Sequence, residues 1–130
     1  MSYATQASTY REMEVLSASP GQLVVMLYDH LLVALRRTHI AMEAHNPELR
    51  SSHLDRARLV ITELLATLDR EAGGEVAENL SALYTFFFTE LVDLGLHPDV
   101  VRLGRVTAMV TDLRDAFAQA SGVGLQSVAS

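Results

Sequence analysis

Five histidines and sixteen carboxylates are the side chains with the most chemistry to offer, and their spacing decides what that chemistry could be. A di-metal carboxylate site in a helical protein needs inward-facing glutamates and a Glu-x-x-His pair. The residues three before His30, His39, His45, His53 and His97 are Leu27, Arg36, Met42, Arg50 and Leu94, so that pair never occurs. No two histidines stand three or four apart, the spacing that would put two ligands on one helical face. The chain has no cysteine, which removes thiolate metal sites, covalent haem attachment and disulfides together. No metal and no cofactor are expected.

A solitary exposed histidine on a helix can still accept a phosphoryl group, as four-helix phosphotransfer bundles do. His39, after Arg36 and Arg37, and His53, before Arg56, are the candidates, because neighbouring guanidiniums suit an incoming phosphate. Neither carries a His-x-x-Lys-Gly pattern, and all ten basic residues of the chain are arginine. Asp29, Glu63 and Glu90 are single carboxylates within apolar stretches, and Glu71, Glu75 and Glu78 read as a solvated face near a helix start. Gly73-Gly74 is a helix break rather than a phosphate loop. No catalytic constellation emerges, so a non-enzymatic role is expected. A histidine phosphotransfer bundle and a plain helical dimerisation module stand as alternatives, and a weak homodimer is compatible with the main reading.

The elements that would position any such group begin at Ser19-Pro20-Gly21-Gln22. Ser19 can cap free helix amides, Pro20 gives up an N–H that would be unpaired anyway, and Gln22 can reach back to close a capping box. This start divides the chain into a polar N-terminal arm over 1–18, a helical body over 19–120 and a loose tail over 121–130. The first helix is expected from about Ser19 to Ala44, where Asn46-Pro47 stops it. The second starts between Pro47 and Ser52 and ends near Arg70, with Leu54, Ala57, Ile61, Leu64 and Leu68 as its seam. A third spans about Glu75 to Leu94 on Val76, Leu80, Leu83, Phe87, Leu91 and Leu94. The fourth follows His97-Pro98-Asp99 and runs to about Ala120 on Leu103, Val106, Val110, Leu113, Phe117 and Ala120. Four amphipathic helices with short turns predict an all-α, antiparallel four-helix bundle with a short mobile N-terminal arm or helix.

The chain of 130 residues is long enough for one domain with a real core, and its net charge of −6 argues against nucleic acid as a partner. The first eighteen residues contain Arg11, Glu12 and Glu14 and no apolar core of a signal peptide. The apolar runs Leu23–Tyr28 and Leu31–Leu35 are too short to span a bilayer. A soluble, cytoplasmic protein without membrane insertion is expected.

What remains is more apolar surface than four seams can hide. With Leu80 at zero and roughly 100° per residue, Tyr84 falls near 40°, Phe88 near 80°, Val92 near 120° and Phe86 near 240°. Three consecutive phenylalanines cannot all enter one core. Val25 and Leu32 add to the first helix beyond its stripe, as Val60 and Leu65 do on the second. Such an excess marks a partner surface. The residues expected to form it are Tyr84, Phe88 and Val92 with Val60, Ile61 and Leu65, while Tyr10, Val15 and Leu16 of the arm cover part of it in the free protein.

In order and spacing, the chain resembles the flagellin export chaperone family, FliS. The likeness covers about residues 10 to 120. It rests on Tyr10 with Val15, on Ala18-Ser19-Pro20-Gly21-Gln22-Leu23 running into Met26-Leu27-Tyr28-Asp29, and on Ala57, Ile61, Glu63, Leu64 and Leu68-Asp69. It continues through Gly73-Gly74-Glu75-Val76-Ala77-Glu78-Asn79-Leu80, Leu83-Tyr84 and Leu113-Arg114-Asp115-Ala116. The resemblance implies a cytoplasmic four-helix bundle that binds the C-terminal helical segment of flagellin, prevents premature polymerisation and delivers the subunit to the flagellar type III export apparatus, including its export-gate components. The chain departs from the family pattern at Phe86-Phe87-Phe88-Thr89-Glu90, where basic residues are common, and at Phe117, where the family often has Trp.

Overall fold

The computed structural model describes residues 19–122; the expectations for Tyr10, Val15, Leu16 and the rest of the arm, and for the tail from 123 onward, fall outside the described residues. Four helices make up the body: α1 (Pro20–Glu43), α2 (Pro47–Ala66), α3 (Arg70–Leu96) and α4 (Val100–Ser121). The architecture is the expected all-α one, with the helices packed against each other. Helix α1 lies between α2 and α4, and α3 leans mainly on α2, meeting α4 more sparsely. The antiparallel run of neighbours shows in the cross-links. Arg114 of α4 donates from Nε to Asp29 of α1 at 2.9 Å, and the early α1 residue Gly21 packs against Ser121 at the far end of α4.

Each helix start is a local chemical event. The Ser19 Oγ accepts from the Gln22 amide at 3.2 Å, and the Gln22 Oε1 accepts from the Ser19 amide at 2.9 Å, closing the capping box. Asn46 caps α2 through the Leu49 amide, and Asp99 caps α4 through the amides of Val101 and Arg102. Asp69 caps α3 in the same way, accepting from Glu71 and Ala72. That cap is why α2 ends at Ala66 instead of near Arg70: the chain is already entering the next helix. Gly73-Gly74 does not separate two elements either. Gly74 adopts φ 51°, ψ −126°, which kinks α3 and leaves Arg70–Gly73 as one turn ahead of the bend.

The core is filled by Tyr28, Leu31 and Leu35 of α1, Leu54, Ile61 and Leu64 of α2, Phe87, Leu91 and Leu94 of α3, and Leu103, Val106 and Val110 of α4. Three residues expected on a partner surface belong to this interior. Val60 and Ile61 are buried on the inner face of α2, and Tyr84 is 1% exposed because its hydroxyl pairs with that of Tyr28 across the core. Val25 is buried as well, whereas Val76, an expected seam residue, is 67% exposed just beyond the kink.

Candidate functional site

Apolar side chains left uncovered on α3 form the first half of the site. Phe86 is 46% exposed, Phe88 36% and Val92 42%, while Phe87 between them is fully buried. One turn of helix advances by 3.6 residues, so of three consecutive rings only one can face the core. Leu65 of α2 is half-buried.

The second half is a cavity of about 360 Å³ at the end of the bundle where α1 begins. Val24 of α1, Leu68 from the α2–α3 connection, Val76, Leu80 and Tyr84 of α3, and Phe117 of α4 supply its apolar walls. The kink shapes it. The turn before Gly74 folds back so closely that a Cβ on Gly73 would lie 2.8 Å from that of Ala77, and both residues line the cavity. Its polar rim is already engaged: Thr67 donates to the Leu64 carbonyl at 2.6 Å and Asp69 caps α3.

Cavity and exposed strip are one feature. Val76, Leu80, Tyr84, Phe88 and Val92 stand four apart on α3, which makes them a continuous ridge that turns by roughly 40° per step around the helix. The first three line the cavity, and the last two carry the same ridge onto the open surface. Among the expected site residues the structure therefore unites Tyr84, Phe88 and Val92, with Tyr84 reached only through the cavity. Val60 and Ile61 do not take part.

Behind the ridge, the Tyr28 and Tyr84 hydroxyls hydrogen-bond to each other, and the Tyr28 ring lies 5.5 Å from that of Phe117. Burial pushes both phenols above their ordinary pKa of 10.0, Tyr28 the more strongly, so the back wall is uncharged. Across the α3–α4 seam, Arg102 donates to Glu90 Oε1 at 2.8 Å and to Asp93 Oδ2 at 2.5 Å. The Arg102 guanidinium, with help from His97, holds the Asp93 carboxyl below its ordinary range.

Val24, Leu68, Leu80 and Phe117 are site residues that the helical wheel did not single out. A signal for them was nevertheless present, because Leu68-Asp69, Gly73 to Leu80, and Leu83-Tyr84 are stretches on which the family resemblance rests, and they converge on this cavity. Of the histidines considered for phosphoryl transfer, His39 is hydrogen-bonded to Glu43 and His53 lines a separate cleft between α1 and α2. Among the described residues no group of three or more histidines and carboxylates could hold a metal ion, and no helix is long and apolar enough to cross a membrane.

A family model described as "Flagellar protein FliS" matches residues 2–123. Similar proteins include the flagellar secretion chaperone FliS of Bacillus subtilis, 34% identical with 87% of this chain and 84% of that protein covered. The flagellar secretion chaperone FliS of Salmonella typhimurium is 35% identical, with coverage of 85% and 82%. That of Escherichia coli is 36% identical, with coverage of 82% and 79%.

Proposed function

The chain belongs to the FliS family of flagellar secretion chaperones, which act by binding and not by catalysis, and we propose that its partner is flagellin. The protein holds the C-terminal helical segment of flagellin in the cytoplasm, keeps it from polymerising early, and hands it to the flagellar type III export apparatus. The observation that carries this reading is the row of side chains from Val76 to Val92, which lines a cavity at one end and lies exposed at Phe88 and Val92 at the other. An amphipathic helix laid along a groove is anchored by side chains at such i, i+4 steps. Fully covering one exposed Phe, Val or Leu contributes roughly 1.5–3 kcal/mol. The uncovered parts of Val76, Phe88 and Val92, together with the client's own apolar face, offset the roughly 2–5 kcal/mol that ordering a disordered segment costs.

The arm belongs to the same reading. Its junction with α1 is Ser19, and Val24 lies only about 8 Å further along the helix, at roughly 1.5 Å per residue. Because the described chain begins beside the cavity, we assign Tyr10, Val15 and Leu16 to covering its apolar wall until a client displaces them. Removing residues 2–16 raises the fluorescence of an apolar dye and tightens client binding; an unchanged signal with unchanged affinity rejects the covering role.

The main test is titration calorimetry with a peptide comprising the flagellin C-terminal segment. Wild-type protein binds it one to one, and Phe88→Asp weakens binding at least tenfold with an unchanged circular dichroism spectrum. Undiminished binding by a folded Phe88→Asp variant removes the ridge from the client site.

A further inference from the structure

Away from the ridge, α1 and α2 enclose a small cleft of about 150 Å³ that shares no residue with the cavity described above. Its walls are His30, Val33, Ala34 and Arg37 of α1 with His53 and Arg56 of α2. Arg37 and Arg56 put two positive charges on the lining of one cleft, and a chain of net charge −6 has ample acid with which to neutralise them. It does not do so: among the described residues no carboxylate lies within ion-pair distance of Arg37 or Arg56. The neighbouring acids are committed elsewhere, Asp29 to Arg114, Glu43 to His39 and Asp55 to Arg58.

We infer that this cleft is a second docking site, which takes an acidic segment of a protein partner by seating a Glu or Asp side chain between Arg37 and Arg56. The chemistry of the walls selects that ligand. Ala34 is buried at the floor and Val33 is exposed beside it, so the cleft offers apolar contact for side-chain methylenes below and charge-assisted donors above. A bare phosphate ion uses only the donors, while a glutamate side chain uses both. His30 and His53 complete the lining with two imidazoles, each able to donate from a ring nitrogen. Because the site lies apart from the α3 ridge, it is open to a second protein while a client is held, and the inference does not depend on how the ridge is used.

The test uses the full chain with a synthetic Glu-rich helical peptide, its Gln-substituted counterpart and inorganic phosphate, followed by amide chemical shifts and calorimetry. The acidic peptide is expected to shift resonances around Arg37 and Arg56 and to weaken with added salt. It should bind at least tenfold more tightly than the Gln peptide and than phosphate. Arg37→Ala with Arg56→Ala should reduce its affinity at least tenfold, the paired Lys replacements should restore part of it, and Phe88→Asp should leave it unchanged. Equal binding of the acidic and Gln peptides, indifference to the arginine replacements, or phosphate binding as tightly as peptide each overturns the inference. Binding of the acidic peptide that disappears in Phe88→Asp but survives the arginine replacements moves the site to the ridge.

Discussion

Tyr28 and Tyr84 bring two hydroxyls into an apolar interior and satisfy them with one another. Removing one partner strands the other, which costs about 1–3 kcal/mol, whereas removing both is close to neutral. Tyr84→Phe should therefore lower the unfolding free energy read from denaturant titration by that amount, and Tyr28→Phe combined with Tyr84→Phe should recover most of the loss. Strict additivity of the two replacements would show that the hydroxyls do not depend on each other. The same pair sets an alkaline limit. In the unfolded chain a phenol releases its proton near 10.0, while burial raises both folded phenols above that, Tyr28 the more strongly. A raised folded pKa means stability that is present below pH 10 and lost as the pH climbs above it. Thermal melts between pH 9 and 11 should fall steeply for the wild type and less steeply for the double Phe variant. The sequence placed Tyr84 on the flank of α3, and an angle of 40° was the only information the wheel held. Whether a flank is wet depends on what stands opposite it, and here that is a residue fifty-six positions earlier in the chain.

Helix ends were the most legible elements because each is decided within four or five residues. Ser19, Pro20 and Gln22 carry everything the start of α1 needs, and the structure realises the box their order suggests. Ser19→Ala should cost about 0.5–2 kcal/mol in chemical denaturation, the usual range for losing such a cap. The α2–α3 connection was less legible because two local signals compete there. Glycine pairs ordinarily break helices, yet Asp69 nucleates a turn ahead of them, and the helix resumes after a single residue in a backbone region closed to most side chains. Gly74→Ala should destabilise by about 1–3 kcal/mol and reshape the cavity as well, so its effect on client affinity should exceed that of an equally destabilising core change. At the other end of α3 the sparse contact with α4 places weight on Arg102. Its hold on Asp93 lowers that carboxyl, so the stabilisation is present above the ordinary carboxylate pKa of 3.8 and fades as the pH falls through the lowered value. Arg102→Gln should shrink the loss of stability between pH 5 and 3.

On the scale of the whole molecule, holding the fold and offering a surface fall to different members of the same residue class. Phe86, Phe87 and Phe88 are consecutive and chemically identical, and the sequence could state only that they do not share one fate. The helical period decides the division: Phe87 turns inward to complete the core, and its neighbours are left on either side of it. Periodicity could separate Phe87 from Phe88 and put Ile61 on the seam of α2, but it could not show that Val60 beside it would be covered too, because that depends on which helices pack against α2. The division makes a sharp contrast measurable. Phe87→Ala removes a filled core volume and should cost about 3–5 kcal/mol in unfolding free energy. Phe88→Asp, at a position where the ring is only partly covered, should cost less, about 1–2 kcal/mol. Client affinity should show the reverse order: Phe87→Ala, at a temperature where it remains folded, keeps most of its binding, and Phe88→Asp loses it. Client addition supplies a second reading of the same contrast, since a ligand at a hundred times its Kd stabilises by about 2.7 kcal/mol. That shift in melting should survive in Phe87→Ala and vanish in Phe88→Asp. If both variants lose stability and affinity together, core and docking surface form one unit, and the apolar excess on α3 has no task separate from packing.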